Sequence, residues 1–248
     1  MTEFTFVLPL SVFLVAMLYS SVGHGGASGY LAILSLMACP VPQMATTALI
    51  LNMLVSGIAS TSYIKAKHLS WRLTWPFIVT SIPAAFVGGL IHISSHSYFL
   101  LLAVILALSA VRLAMSAKDK DDNAELRNVT LSGALSCGAG IGILSGLVGI
   151  GGGIFLSPLM LLMRWANAKQ TSATSACFIF LNSLAGLGGR ALRGALDLGS
   201  LGPLIAAAFV GGIIGSHYGA NVCSGLMLRR LLAGVLLLAA FKLIITLQ

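Results

Sequence analysis

Eight apolar runs of 19–22 residues, at about 4–22, 43–64, 73–92, 97–115, 129–148, 171–189, 198–219 and 226–247, carry almost no charge. A helix of that length reaches across a ~30 Å hydrocarbon layer, where only helices and closed barrels can pair every backbone group internally. Two further runs, 26–38 and 152–163, have 13 and 12 residues, only ~18–20 Å as helix. Each follows a glycine-rich stretch, SVGHGG or LVGIGGG. The ten segments predict an all-α polytopic membrane protein. Only 8% of the chain is charged and its mean hydropathy is +1.00, so a water-soluble fold would leave far too much apolar surface uncovered.

The order of motifs repeats. SVGHGGASGYLAIL (21–34) is echoed by LVGIGGGIFLSPLM (147–160), ATTA (45–48) by ATSA (173–176), and AAFVGGLI (84–91) by AAFVGGII (207–214). Between the halves lies AKDKDDNAELRN (117–128), with four of the six acidic residues and no apolar period, a solvated linker. The chain thus reads as a first repeat over 1–116, a charged cytoplasmic linker over 117–128 and a second repeat over 129–248. Five crossings per repeat make the repeats inverted, a recurring architecture of secondary transporters.

Basic residues set the expected orientation. With ten crossings, eleven Lys and Arg fall on one side and two or three on the other, Arg190 and Arg193 among them; re-entrant short segments would weaken the split to nine against four. The positive-inside rule therefore favours ten crossings of a bacterial inner membrane, with both termini outside and the linker in the cytoplasm. Trp71, Trp75 and Trp165 then fall at the cytoplasmic interface. The net charge of +8 is a topology signal spread over loops, and nucleic acid is not an expected partner. Glu3, with no Lys or Arg before the first run, has the wrong charge for a cleaved signal peptide, so that run is kept as a mature span.

Glycine disfavours a helix by about 1 kcal/mol each, so two glycine-rich breaks need a reason. A short helix that begins inside the membrane points its unpaired N–H groups and the positive end of its dipole at whatever lies there, which makes an anion site without a charged side chain. The glycine motifs place Gly23, Gly25 and Gly26 opposite Gly149, Gly151 and Gly152, with Gly153 following. Thr46, Thr47, Thr174 and Ser175 come just after the short segments, where hydroxyls cap helices or coordinate a ligand. Asn52 and Asn182 follow as ligand contacts or interhelical glue. His24 has no counterpart, since Ile150 stands in the second copy; it can donate to an anion, carry a proton or serve as a structural histidine. His92, His96 and His217 read as interfacial, and AAFVGG as a packing motif.

Apart from Asp197 at a segment end, no Asp or Glu falls in an expected span, which removes the buried carboxylates that cation transport uses. No HExxH and no pair of intramembrane acids is present, so a membrane-embedded hydrolase is not expected. Cys39, Cys137, Cys177 and Cys223 are scattered without CxxC spacing and read as small hydrophobes, with no metal or cofactor implied.

The segments GIGGGIFLSPLMLL (149–162), ATSACFIFLNSLAG (173–186) and the stretch from Ala45 to Leu90 resemble the TauE/SafE sulfite exporter family. That resemblance covers nearly the whole chain. It implies a transporter of a small sulfur-containing anion such as sulfite or an organosulfonate, with the family's glycine motif on the seven glycines named above and its Thr-Ser patch on Thr46, Thr47, Thr174 and Ser175. One departure is Gly25, Gly26, Ala27 where the family usually continues as three glycines, which allows a different substrate. The expected partners are the anion and the lipid bilayer, with homo-oligomerisation left open. The expected mechanism is alternating access with the anion held at half-helix N-termini. The rivals are an anion channel of the same topology and a membrane accessory subunit or enzyme of sulfur metabolism.

Overall fold

The computed structural model describes residues 2–36, 41–91, 126–192, 194, 201–224, 226–227 and 230–231. Among these, every regular element is helical: α1 (Thr2–Ser21), α2 (Ala27–Leu36), α3 (Val41–Lys65), α4 (Trp71–Leu90), α5 (Leu131–Val148), α6 (Gly153–Leu162), α7 (Ala168–Leu192) and α8 (Gly202–His217), which ends in a π-turn (Tyr218–Val222). Five stretches, Gln43–Lys65, Trp71–Leu90, Leu131–Val148, Ala168–Leu192 and Gly202–Val222, are long and apolar enough to cross a membrane. The expected segment at 97–115, nearly all of that at 226–247, most of the linker, and Cys39, His92, His96, Arg193 and Asp197 lie outside the described residues.

Local chemistry starts these helices where it can. Thr130 caps α5 by accepting the N–H of Gly133. Asn167, just before α7, and Gln170 in its first turn exchange side-chain and backbone hydrogen bonds, a reciprocal cap that satisfies two otherwise unpaired donors.

The two short helices each carry the chain back along the bundle. Tyr63, near the end of α3, donates its hydroxyl to the carbonyl of Ser21 at the end of α1, 2.6 Å away. The 25 residues of α3 rise ~37 Å, so α3 starts at the opposite end of the bundle, and α2 finishes only a few residues before it. The first break and α2 together therefore return the chain through the bundle. In the second half, Arg190 near the end of α7 reaches Leu147 at the end of α5, while Arg127 ahead of α5 donates its N–H to the carbonyl of Arg164 after α6. The second break and α6 thus carry the chain back to the end from which α5 set out. Contacts of Gly57 with Phe180 and of Asn52 with Ser183 make α3 and α7 antiparallel at the centre. Lys65, Lys67, Arg72, Arg127, Arg164 and Lys169 all lie at helix ends on the Tyr63 side.

Close packing rests on two glycine stripes at four-residue spacing. Gly138, Gly142 and Gly146 of α5 press on the carbonyls of Phe77, Ser81 and Ala85 of α4, and Gly211, Gly215 and Gly219 press on those of Phe13, Met17 and Ser21 of α1. Each leaves no room for a β-carbon, which is how helices approach closely where lipid supplies no hydrophobic drive. AAFVGG belongs to this system: Gly88 lies on the carbonyl of Ile143 and Gly89 on that of Gly186. Gly142→Leu is expected to destabilise the protein by roughly 3 kcal/mol through forced separation of α4 and α5, read as a lower apparent melting temperature in detergent.

The outward faces agree with lipid contact. Trp71 and Trp75 are exposed near the start of α4, together with Val79, Val87 and Leu90. Trp165 instead tucks its ring against Phe77, with centroids 6.0 Å apart.

Candidate functional site

Each break divides its glycines by task. The first glycine ends a long helix: Gly23 (φ +73°) is followed by the His24 N–H on the Tyr19 carbonyl while its own N–H takes the Ser20 carbonyl, a left-handed C-cap. Gly149 (φ +78°) plays the same part with its N–H on the Ser145 carbonyl. The last glycine, Gly26 or Gly152, again has positive φ and turns the chain into a half-helix. Between them, Gly25 and Gly151 make room. A β-carbon on Gly25 would overlap Asn52 Oδ1, and one on Gly151 would come 2.5 Å from Asn52 Nδ2 and 2.9 Å from Ser183 Oγ.

Asn52 consequently lies between the two breaks. Its carboxamide oxygen accepts the N–H of Ala27, the first residue of α2, at 3.2 Å. Its amide donates to Ser183 Oγ of α7 at 2.7 Å, and the side chain is only 1% exposed. The first N–H of the half-helix thus already points at an oxygen acceptor.

His24 joins the breaks a second time. Its ring is buried, and a β-carbon on Gly153 would stand 3.7 Å from its Cδ2. Nδ1 donates to the carbonyl of Val22 at 3.0 Å, since a carbonyl can only accept. Nε2 is then the acceptor facing Ser157 Oγ at 3.4 Å, and Ser157 pairs with Ser175 at 2.6 Å.

The remaining residues singled out by sequence divide. Thr46, Thr47, Thr174 and Ser175 are buried but sit in the second turns of α3 and α7, beyond the capping positions. The hydroxyl of Thr174 pairs with that of Thr74 in α4 at 2.9 Å, whereas that of Ser175 pairs with Ser157, which in turn faces His24. Asn182 does not mirror Asn52: its amide donates to Ser81 Oγ and the Phe178 carbonyl, tying α7 to α4.

Two cations departed from the role of solvated loop charges. Arg190 lies within α7, is 8% exposed, and donates from Nη2 to the Leu147 carbonyl at 3.2 Å beside Gly149. It complements the C-terminal end of α5 and brings a positive charge to the second break. Lys169 donates to the carbonyls of Gly219 and Ala220 in the π-turn, both at 2.9 Å. Helical spacing was the available signal for Arg190: it stands eight residues beyond Asn182, two turns along α7.

Residues 8–243 match the family described as sulfite exporter TauE/SafE. The chain is 38% identical over 240 residues to a Sinorhizobium fredii protein named "Probable membrane transporter protein y4hK", covering 96% of this chain and 97% of that one. It is 28% identical over 194 residues to YunE of Bacillus subtilis, covering 71% of each, and 29% identical over 197 residues to MJ0441 of Methanocaldococcus jannaschii, covering 75% and 73%; both bear the same transporter description. No solved structure gives a significant match. With helices long and apolar enough to span, the protein is a multi-pass membrane transporter and not an enzyme. It belongs to the TauE/SafE sulfite exporter family.

Proposed function

We propose that this transporter exports a small, singly charged sulfur-containing anion, such as sulfite in its bisulfite form or an organosulfonate, by alternating access between two inverted repeats of five segments. The anion lies between the starts of α2 and α6, received by backbone N–H groups of the two breaks, by the Asn52 amide and by hydroxyls of the Thr46, Thr47, Thr174 and Ser175 patch, with the His24 ring beside it. The observation that carries this reading is Asn52, whose carboxamide meets the N–H of Ala27 on one side and Gly151 on the other. One small group between two helix starts is where an oxyanion gains donors from both repeats at once. Neutral donors hold it weakly enough for release on the far side. Arg190 beside Gly149 supplies attraction from one end. The basic helix ends on the Tyr63 side favour placing that side in the cytoplasm of a bacterial inner membrane, with both termini outside.

Purified protein in proteoliposomes should show saturable uptake of labelled sulfite or methanesulfonate, accelerated by unlabelled anion on the opposite side. Flux that grows linearly with concentration and shows no such exchange would make the protein a channel. Absence of flux for every small sulfur oxyanion would overturn the substrate class.

A further inference from the structure

We infer that His24 is a coupling-ion site: it takes up one proton when the anion binds, so that the anion and a proton cross together as an electroneutral pair. This rests on the anion reading above and specifies what travels with the anion. The hydrogen on Nδ1 is committed to Val22, so the lone pair on Nε2 is the only place on the ring for a further proton. That atom faces Ser157, whose hydroxyl is paired with Ser175, and α6 runs from the break toward the Tyr63 end, giving a chain of two buried hydroxyls on that side of the ring. A hydronium ion gives a proton to Nε2 and leaves as water; the ring then donates to Ser157 Oγ, and the hydroxyls of Ser157 and Ser175 turn while every other covalent bond stays as it was.

The surroundings leave this task to His24. On α1 and α2 stand Tyr19, paired with Ser28, and Tyr30, whose hydroxyl has no partner. On α3 is Tyr63, bound to the Ser21 carbonyl. On α7 are Cys177, Lys169 on the π-turn carbonyls and Arg190 on Leu147; α6 offers Ser157 and the backbone of Gly153, with no ionisable side chain. Phenols and cationic amines or guanidines do not change charge near neutral pH in ordinary surroundings, whereas imidazole does. No carboxylate side chain faces the ring among the described residues, and an incoming anion would supply the negative charge that an imidazolium lacks among them. Proton and anion attract each other, and by linkage each raises the affinity for the other by the same factor.

The test uses the full-length protein in detergent with methanesulfonate, which does not itself titrate near neutral pH. Calorimetry at pH 6, 7 and 8 should show affinity rising as pH falls, by up to about tenfold per unit where free and bound forms differ by one proton. The heat should change with the buffer's ionisation enthalpy in proportion to one proton taken up, and His24→Gln should abolish both effects. Because that variant can lose binding altogether, histidine-labelled NMR gives an independent readout with methanesulfonate or sulfite. The one imidazole signal missing from His24→Gln must move to the imidazolium position when the wild-type protein is saturated. Binding with no buffer-dependent heat and no movement of that signal overturns the inference and leaves the anion reading standing. Binding of neither anion overturns both.

Discussion

Gly151→Ala is expected to abolish transport while the protein still inserts in the membrane. Gly151 holds φ +74°, where an L-residue pays about 1–2 kcal/mol. The new β-carbon would stand 2.5 Å from Asn52 Nδ2, 2.6 Å from Ile179 Cγ2 and 2.9 Å from Ser183 Oγ. Relieving that overlap costs a further ~1–3 kcal/mol, and pushing Asn52 off Ser183 forfeits a buried hydrogen bond worth about 1 kcal/mol. The single added methyl lands where the two breaks meet, so the loss should appear in transport per inserted molecule as well as in thermal unfolding. Gly140→Ala is the matched control. Gly140 lies in α5 with nothing within 4 Å of a β-carbon, and alanine there should leave transport intact and stabilise the helix by up to about 1 kcal/mol. Wild-type transport in Gly151→Ala would remove the breaks from the mechanism.

The fold was legible where a linear signal sufficed. Apolar length and the paired glycine motifs located all eight described helices to within a few residues, because membrane thickness imposes helix length directly. AAFVGG read correctly as packing, but the stripes at Gly138, Gly142, Gly146 and at Gly211, Gly215, Gly219 became visible only beside the carbonyls they touch. Candidate site residues could be named from the sequence, but their arrangement could not. Asn52 and Asn182 looked equivalent by their place after the Thr-Ser patches, yet one enters the junction of the breaks and the other ties α7 to Ser81 on α4. That difference arises from helix phase: Asn52 comes six residues after Thr46 and Asn182 eight after Thr174, and two residues rotate a side chain by ~200°. Arg190 was counted with the loops because hydropathy averages one charge away at the end of a run. Only the third dimension brings its guanidinium to the end of α5.

Asn52→Asp should separate a ligand contact from interhelical glue. The carboxylate is nearly the same size as the carboxamide and keeps an oxygen for the N–H of Ala27, now 3.2 Å from Oδ1. A negative group is also favoured at a helix start. Toward Ser183, which now accepts from Nδ2 at 2.7 Å, the hydroxyl can turn and donate to the new oxygen. The local hydrogen bonds therefore survive, and Gly25 and Gly151 still face a side chain of unchanged volume. A fixed negative charge nevertheless occupies the place proposed for the transported anion. With an effective dielectric constant near 20 and a separation of ~5 Å, repulsion is about 3 kcal/mol, which lowers anion affinity on the order of a hundredfold. Asn52→Leu would instead leave the N–H of Ala27 without its acceptor, a cost of ~1–3 kcal/mol, and would confuse unfolding with loss of binding. Anion titration of Asn52→Asp, alongside its melting curve, decides the matter. Lost binding at near-native stability supports the site between the breaks, and native affinity in the folded variant would show that the anion passes elsewhere.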